Sequence, residues 1–105
     1  MTETYRRIRE AIASRKIVIA RYKNHVRHMC PYVIGHKNRN EQALFYQFGG
    51  TSASGLASPG SPDNWRCIPL AMLCIIEIRN GDWVTAPNHS QSQTCIDEID
   101  LDVMS

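Results

Sequence analysis

Apolar residues repeat at helical spacing near the start of the chain and at strand spacing after it. Tyr5, Ile8, Ala11 and Ile12 fall on one stripe of a helix predicted over residues 3–15, with Arg6, Arg7, Arg9 and Glu10 on the other side. Thr2 or Thr4 supplies the N-cap oxygen. The helix is expected to end near Arg15 or Lys16, because the β-branched run Ile17-Val18-Ile19 favours a strand. Five short strands follow. The first covers residues 17–22 and ends at the turn Lys23-Asn24-His25. The second covers 26–34 and contains Pro31, which cannot donate to a ladder and so marks a bulge or a sheet edge. A polar turn at 35–40 leads to the third, 42–48, in which Leu44, Tyr46 and Phe48 share one face and Ala43 and Phe45 the other. The fourth spans 65–70. After a turn at Ala71-Met72 comes the fifth, 73–79.

The remaining segments are weaker in pattern. Residues 49–63 form one long loop of small residues, a length that inside one domain marks function or mobility. Asn80-Gly81 is a strong hairpin-turn dipeptide, so residues 82–85 are expected to return as a short partner. Residues 87–94 read as polar loop. Residues 95–103 alternate Ile96, Ile99 and Leu101 with acids and fit a docked strand or a helical turn. One helix and five short strands predict a mainly β fold: a small, strongly bent antiparallel five-stranded barrel with the N-terminal helix over an open end. The whole chain, 1–105, reads as one domain, with the barrel over 16–86 and a polar, acidic tail over 87–105.

Composition adds the exclusions. At 105 residues, 43% hydrophobic and 21% charged, the chain is an ordinary globular one. No apolar run approaches the roughly 18 residues that cross a bilayer, so no membrane partner is expected. The first seven residues have no apolar signal core, and Cys30, Cys67, Cys74 and Cys95 form no CxxC pair. Reduced cysteines acting as small hydrophobes, in a cytoplasmic protein, are the expectation.

Charge is unevenly spread. Residues 1–40 hold ten Lys or Arg against two acids, while 41–105 hold two Arg against eight acids. Asp97, Glu98, Asp100 and Asp102 crowd the C-terminus. Such a split suits an anionic partner on the basic half, with the acidic tail competing for it, or two halves that neutralise each other.

Enzymatic motifs are absent. The chain has no P-loop, GxGxxG, HExxH or Gly-x-Ser-x-Gly elbow. Gly49-Gly50-Thr51 and Ser54-Gly55 could offer backbone N–H groups to an anion, but their spacing matches no phosphate loop. His25, His28 and Cys30 are soft ligand types close in sequence, yet no spacing selects a fourth ligand for zinc among Cys67, Cys74, His36 and His89. Apolar or acidic surroundings would raise the cysteine pKa values and disfavour a nucleophile. The reading is therefore non-catalytic, with no metal and no cofactor. The best chemical signal is basic: Arg21, Lys23, Arg27, Lys37 and Arg39 flank the first turns, with Tyr22 and Tyr32 between them. Cations hold phosphates and rings stack on bases, so the pattern suits single-stranded nucleic acid or a nucleotide.

The order of residues from 8 to 78 resembles the WYL domain family, small Sm-like, SH3-type barrels found mostly in bacterial transcription regulators. Carrying the resemblance are Ala11-Ile12, Ile19-Ala20-Arg21-Tyr22, Arg27-His28-Met29-Cys30-Pro31-Tyr32, Leu44, Arg66-Cys67-Ile68-Pro69-Leu70 and Leu73. The sequence departs from the family at Gln42 and Ala43, where the name-giving Trp and Tyr stand, and at Met72, where a second Arg is common. The resemblance implies ligand sensing for transcription regulation rather than catalysis, with nucleic-acid fragments or nucleotide-like effectors as ligands. It implies Tyr22, Arg27 and Arg66 as the binding positions. With the basic neighbours, the candidate site is Arg21, Tyr22, Lys23, Arg27, His28 and Arg66. A rival expectation is an assembly module: a homodimer or a complex with a partner regulator, paired through strand edges and having no affinity for nucleic acid.

Overall fold

A computed structural model describes residues 2–51, 55–56, 64–81, 83 and 95–103. Helix α1 runs Glu3–Ser14, and Thr2 Oγ1 caps it by accepting from the Tyr5 N–H at 3.1 Å. Glu41 fixes that cap to the sheet, accepting from Thr2 Oγ1 at 2.6 Å. Arg15 takes a left-handed conformation (φ 52°), and the N–H groups of Arg15 and Lys16 close the last turn on Ile12 and Ala11. The expected stripe of Tyr5, Ile8, Ala11 and Ile12 is buried and joins the sheet's core. Each of the two isoleucines contributes about 1.5–3 kcal/mol by leaving water.

The strands are β1 Ile17–Tyr22, β2 His25–Lys37, β3 Asn40–Gly50, β4 Trp65–Pro69, β5 Cys74–Arg79 and β6 Glu98–Asp102. A short 3-10 turn, Leu70–Met72, links β4 to β5. All pairings are antiparallel, in the order β4-β3-β2-β1-β5, with β6 on β2. The sheet has six strands, not five, because the tail supplies one. Among the described residues β4 and β5 are not paired, so the sheet is open. Strands β2 and β3 are longer than expected because the turns between strands are only two residues. Lys23-Asn24 and Asn38-Arg39 all have positive φ, the geometry of a tight turn that matches strand twist.

Strand β2 serves two neighbours along one edge. Its first half, His25–Met29, pairs with β1. Its second half, Val33–His36, pairs with β6. Pro31 lies at the changeover, where no N–H is needed, and the register against β3 shifts between Pro31 and Val33. Gly35 permits the close approach of β6, since a Cβ there would stand 2.0 Å from the Glu98 carbonyl oxygen.

The cysteines correct the reduced expectation. Cys67 of β4 and Cys95 form a disulfide. Cys74 is free but exposed, and only Cys30 is the buried small hydrophobe that was expected. Closing a loop of 28 residues stabilises a fold by about 3–4 kcal/mol. No described helix is long and apolar enough to cross a membrane. Most of the loop 49–63, and all but Trp83 of the expected return strand, lie outside the described residues.

Candidate functional site

Three registers gather the site on one face. Ala20 opposes Arg27 and Tyr22 opposes His25, so Tyr22 and Arg27 share a side of the β1–β2 hairpin. Met29 opposes Gln47 across β2 and β3, which brings Gln47 to that side. Phe45 opposes Arg66 on β4, and Phe45 and Gln47 alternate on the same face of β3. Gly50 makes the approach of β2 and β3 possible: its φ is +81°, and a Cβ would lie 2.2 Å from the Val26 carbonyl oxygen.

Gln47 is the hub. Its carboxamide is completely buried. Nε2 donates to the carbonyls of Gly49 at 2.9 Å and Thr51 at 3.0 Å. That fixes Oε1 towards the arginines, where it accepts from Arg66 Nε at 3.1 Å and Arg27 Nη1 at 3.4 Å. Thr51 is itself anchored, by its N–H to Val26 and its hydroxyl to His25 Nδ1 at 2.9 Å. The backbone at 49–51 is thus engaged in holding the cluster.

Arg27 is only 4% exposed. Its Nη2 donates to the Tyr22 carbonyl at 3.4 Å, its Cζ stands 5.0 Å from the Tyr22 ring centre, and its Nε has no partner among the described residues. Burial pushes the guanidinium pKa down, and Arg66 lowers it further; Tyr22 offsets part of this. Lys23 Nζ lies 5.4 Å from the same ring. Arg66 is half-buried and donates Nη2 to the Gly55 carbonyl at 3.1 Å. Chemically, this is a buried cation held by neutral oxygens and an aromatic ring, with further cations beside it.

The structure brings together four of the six candidate residues: Tyr22, Lys23, Arg27 and Arg66. Arg21 and His28 alternate onto the opposite face. Arg21 is exposed, and His28 meets Phe48 edge-on at 6.3 Å. Lys37 and Arg39 stand at the far end of the β2–β3 hairpin from Arg27. Tyr32 is core, packed on Trp65 at 4.8 Å and Trp83 at 5.2 Å. Among the described residues no group of three His, Cys, Asp or Glu could hold a metal. Sequence reasoning missed Gln47. A polar residue on the strand face that Phe45 occupies was the available signal.

The acidic segment is placed elsewhere. Strand β6 lies against Val33–His36, about 20 Å along β2 from Arg27. Asp100 accepts from the Tyr5 hydroxyl at 2.6 Å and from Arg9 Nε at 3.0 Å. These two hydrogen bonds hold its carboxyl below the ordinary value, Tyr5 first and Arg9 second. Burial and the same carboxylate push the Tyr5 phenol up.

No family model matches the chain, and neither does any curated protein or solved structure.

Proposed function

We propose that this domain is a non-catalytic sensor module that binds an anionic ligand derived from nucleic acid, or a nucleotide, over Tyr22, Lys23, Arg27 and Arg66. The bent six-stranded sheet is read as a variant of the SH3/Sm-like barrel of WYL domains, and its output as a signal to a partner regulator. The observation that carries the reading is Arg27. A guanidinium withdrawn from water costs several kcal/mol unless an anion answers it. Among the described residues, what bears on its charge is a second arginine and a tyrosine. A ligand phosphate shared by Arg27 and Arg66 would add negative charge beside the buried guanidinium, in the bidentate geometry that arginine favours. The proposal places the module in the cytoplasm, where such ligands are made and turned over.

The test is fluorescence polarisation with short labelled single-stranded DNA and RNA, and with nucleotides as competitors, across a salt series. Wild type is compared with the Arg27→Ala/Arg66→Ala variant, whose fold is checked by circular dichroism. Binding that falls with salt and drops at least tenfold in the folded variant supports the reading. No binding at low salt, or equal binding by the variant, overturns it.

A second reading has its own observation. Among the described residues strand β5 ends the sheet, and it carries Ile76, which is 52% exposed. An outer strand with an apolar side chain suits pairing with another copy. Sedimentation would then give a dimer that dissociates in Ile76→Lys, with no affinity for nucleic acid.

A further inference from the structure

We propose that the Cys67–Cys95 disulfide is a reducible strap: closed, it seats the segment 95–103 on β2; opened by a dithiol reductant, it lets that segment go. The inference is independent of the anion site. It begins from exposure. Cys67 is exposed on β4, whereas Cys95 is 7% exposed, so an incoming thiolate reaches the Cys67 sulfur. Attack there forms a mixed disulfide on Cys67 and breaks the protein's S–S bond. Cys95 leaves as a thiolate and takes a proton from solvent. The reductant's second thiol then displaces Cys67, which is protonated in turn. Two electrons have passed, and the reductant has become a disulfide.

Gln42 stands where the leaving group develops charge. Its Nε2 donates to the Cys95 carbonyl at 2.6 Å, with Cys67 Sγ at 3.3 Å and Cys95 Sγ at 3.7 Å. An N–H donor beside a nascent thiolate favours opening.

Apart from the strap, the segment is held by its ladder to β2 and by backbone bonds from Asp97 to His36 and from Val103 to Tyr32, with little side-chain burial in the strand itself. Of the five residues of β6, Glu98, Ile99 and Asp100 are exposed and none is fully buried. Burial comes instead from the flanks: Cys95 itself, Ile96 and Val103. Side-chain attachments to the helix include the Asp100 bonds to Tyr5 and Arg9 and the bond from Arg15 Nη2 to the Val103 carbonyl at 3.3 Å. The disulfide is the covalent tie between this segment and β4. Departure of the segment uncovers the edge of β2 at Val33–His36 beside Gly35 and leaves the β1–β2–β3 pairings untouched.

Hydrogen exchange with mass spectrometry tests this on the full chain, oxidised with glutathione disulfide and then treated with excess dithiothreitol. Reduction is expected to speed exchange across 96–103 at least tenfold more than across residues 18–20 and 27–29, which lose only the bridge's share of global stability. Cys67→Ser should show the same pattern without reductant, its position being exposed. Four reactive thiols in the oxidised, denatured protein would overturn the proposal, since no bridge would have formed. Unchanged exchange across 96–103 on reduction overturns it as well. So does loss of protection throughout, because the bridge would then hold the whole fold and not one segment.

Discussion

Near the second half of β2, Arg9 meets Asp100 at 3.0 Å in contact with water; near its first half, Arg27 lies 4% exposed against an amide, a tyrosine and another arginine. The two ends push their charges in opposite directions. Hydrogen bonds from Tyr5 and Arg9 hold the Asp100 carboxyl ionised, and its pKa falls. Burial works against the charge on Arg27, and its pKa falls too, which for a base means the charged form is disfavoured. The first arrangement explains itself as a surface tie between helix and tail, worth about 0–1 kcal/mol. In the second, burial works against the charge on Arg27 and no acid among the described residues is among the causes of its shift, and the proposed binding role rests on that contrast.

Removing the hub should have the largest effect. Gln47→Leu strips the acceptor from both arginines and the donor from Gly49 and Thr51, so denaturant unfolding should show a loss of about 3 kcal/mol. Arg27→Met sharpens the contrast by sign. An apolar side chain of similar length relieves the desolvated charge, and the midpoint should rise by about 1 kcal/mol while anion binding is lost. A clear loss of stability in that variant would make Arg27 a structural residue and sink the binding argument. Tyr5→Phe removes the bond to Asp100 and should cost about 1 kcal/mol in thermal unfolding at neutral pH.

That last effect carries a pH signature. Asp100 has a folded pKa below its unfolded value of about 3.9. Its stabilising share is therefore present above about pH 4 and disappears as pH falls through the lower, folded value. The penalty of Tyr5→Phe should shrink over the same acid window, measured by unfolding at a series of pH values. The smallest effect belongs to Arg9→Ala, about 0.3 kcal/mol and abolished by 1 M salt. A loss as large as that at Gln47 would erase the distinction between the two ends.

Local patterns in the chain were enough for α1, its cap and the first five strands. The Tyr5/Ile8/Ile12 stripe, the Ile17-Val18-Ile19 run and Pro31 each act over a few residues, and the structure places a helix, a strand and a register shift where they point. Arg27 and Arg66 were legible as candidates. Their convergence was not, because it depends on three registers and on Gln47, which reads in sequence as one polar residue in an apolar run. Arg21 and His28 failed as neighbours of Arg27 for a simple reason: adjacent strand residues point to opposite faces. The Cys67–Cys95 bridge and the seat of β6 depend on distances in space between segments far apart in the chain. Spacing alone does not encode either.

The sharing of β2 between two partners also sets an order of assembly. Two-residue turns join β1 to β2 and β2 to β3, so this meander closes through contacts local in sequence. The β2–β6 contact joins Val33–His36 to residues more than sixty positions later, and closing so long a loop is slow. During synthesis residues 17–50 can complete their three-stranded meander before Glu98–Asp102 leaves the ribosome. The last strand then docks along a free stretch of edge on a scaffold already formed.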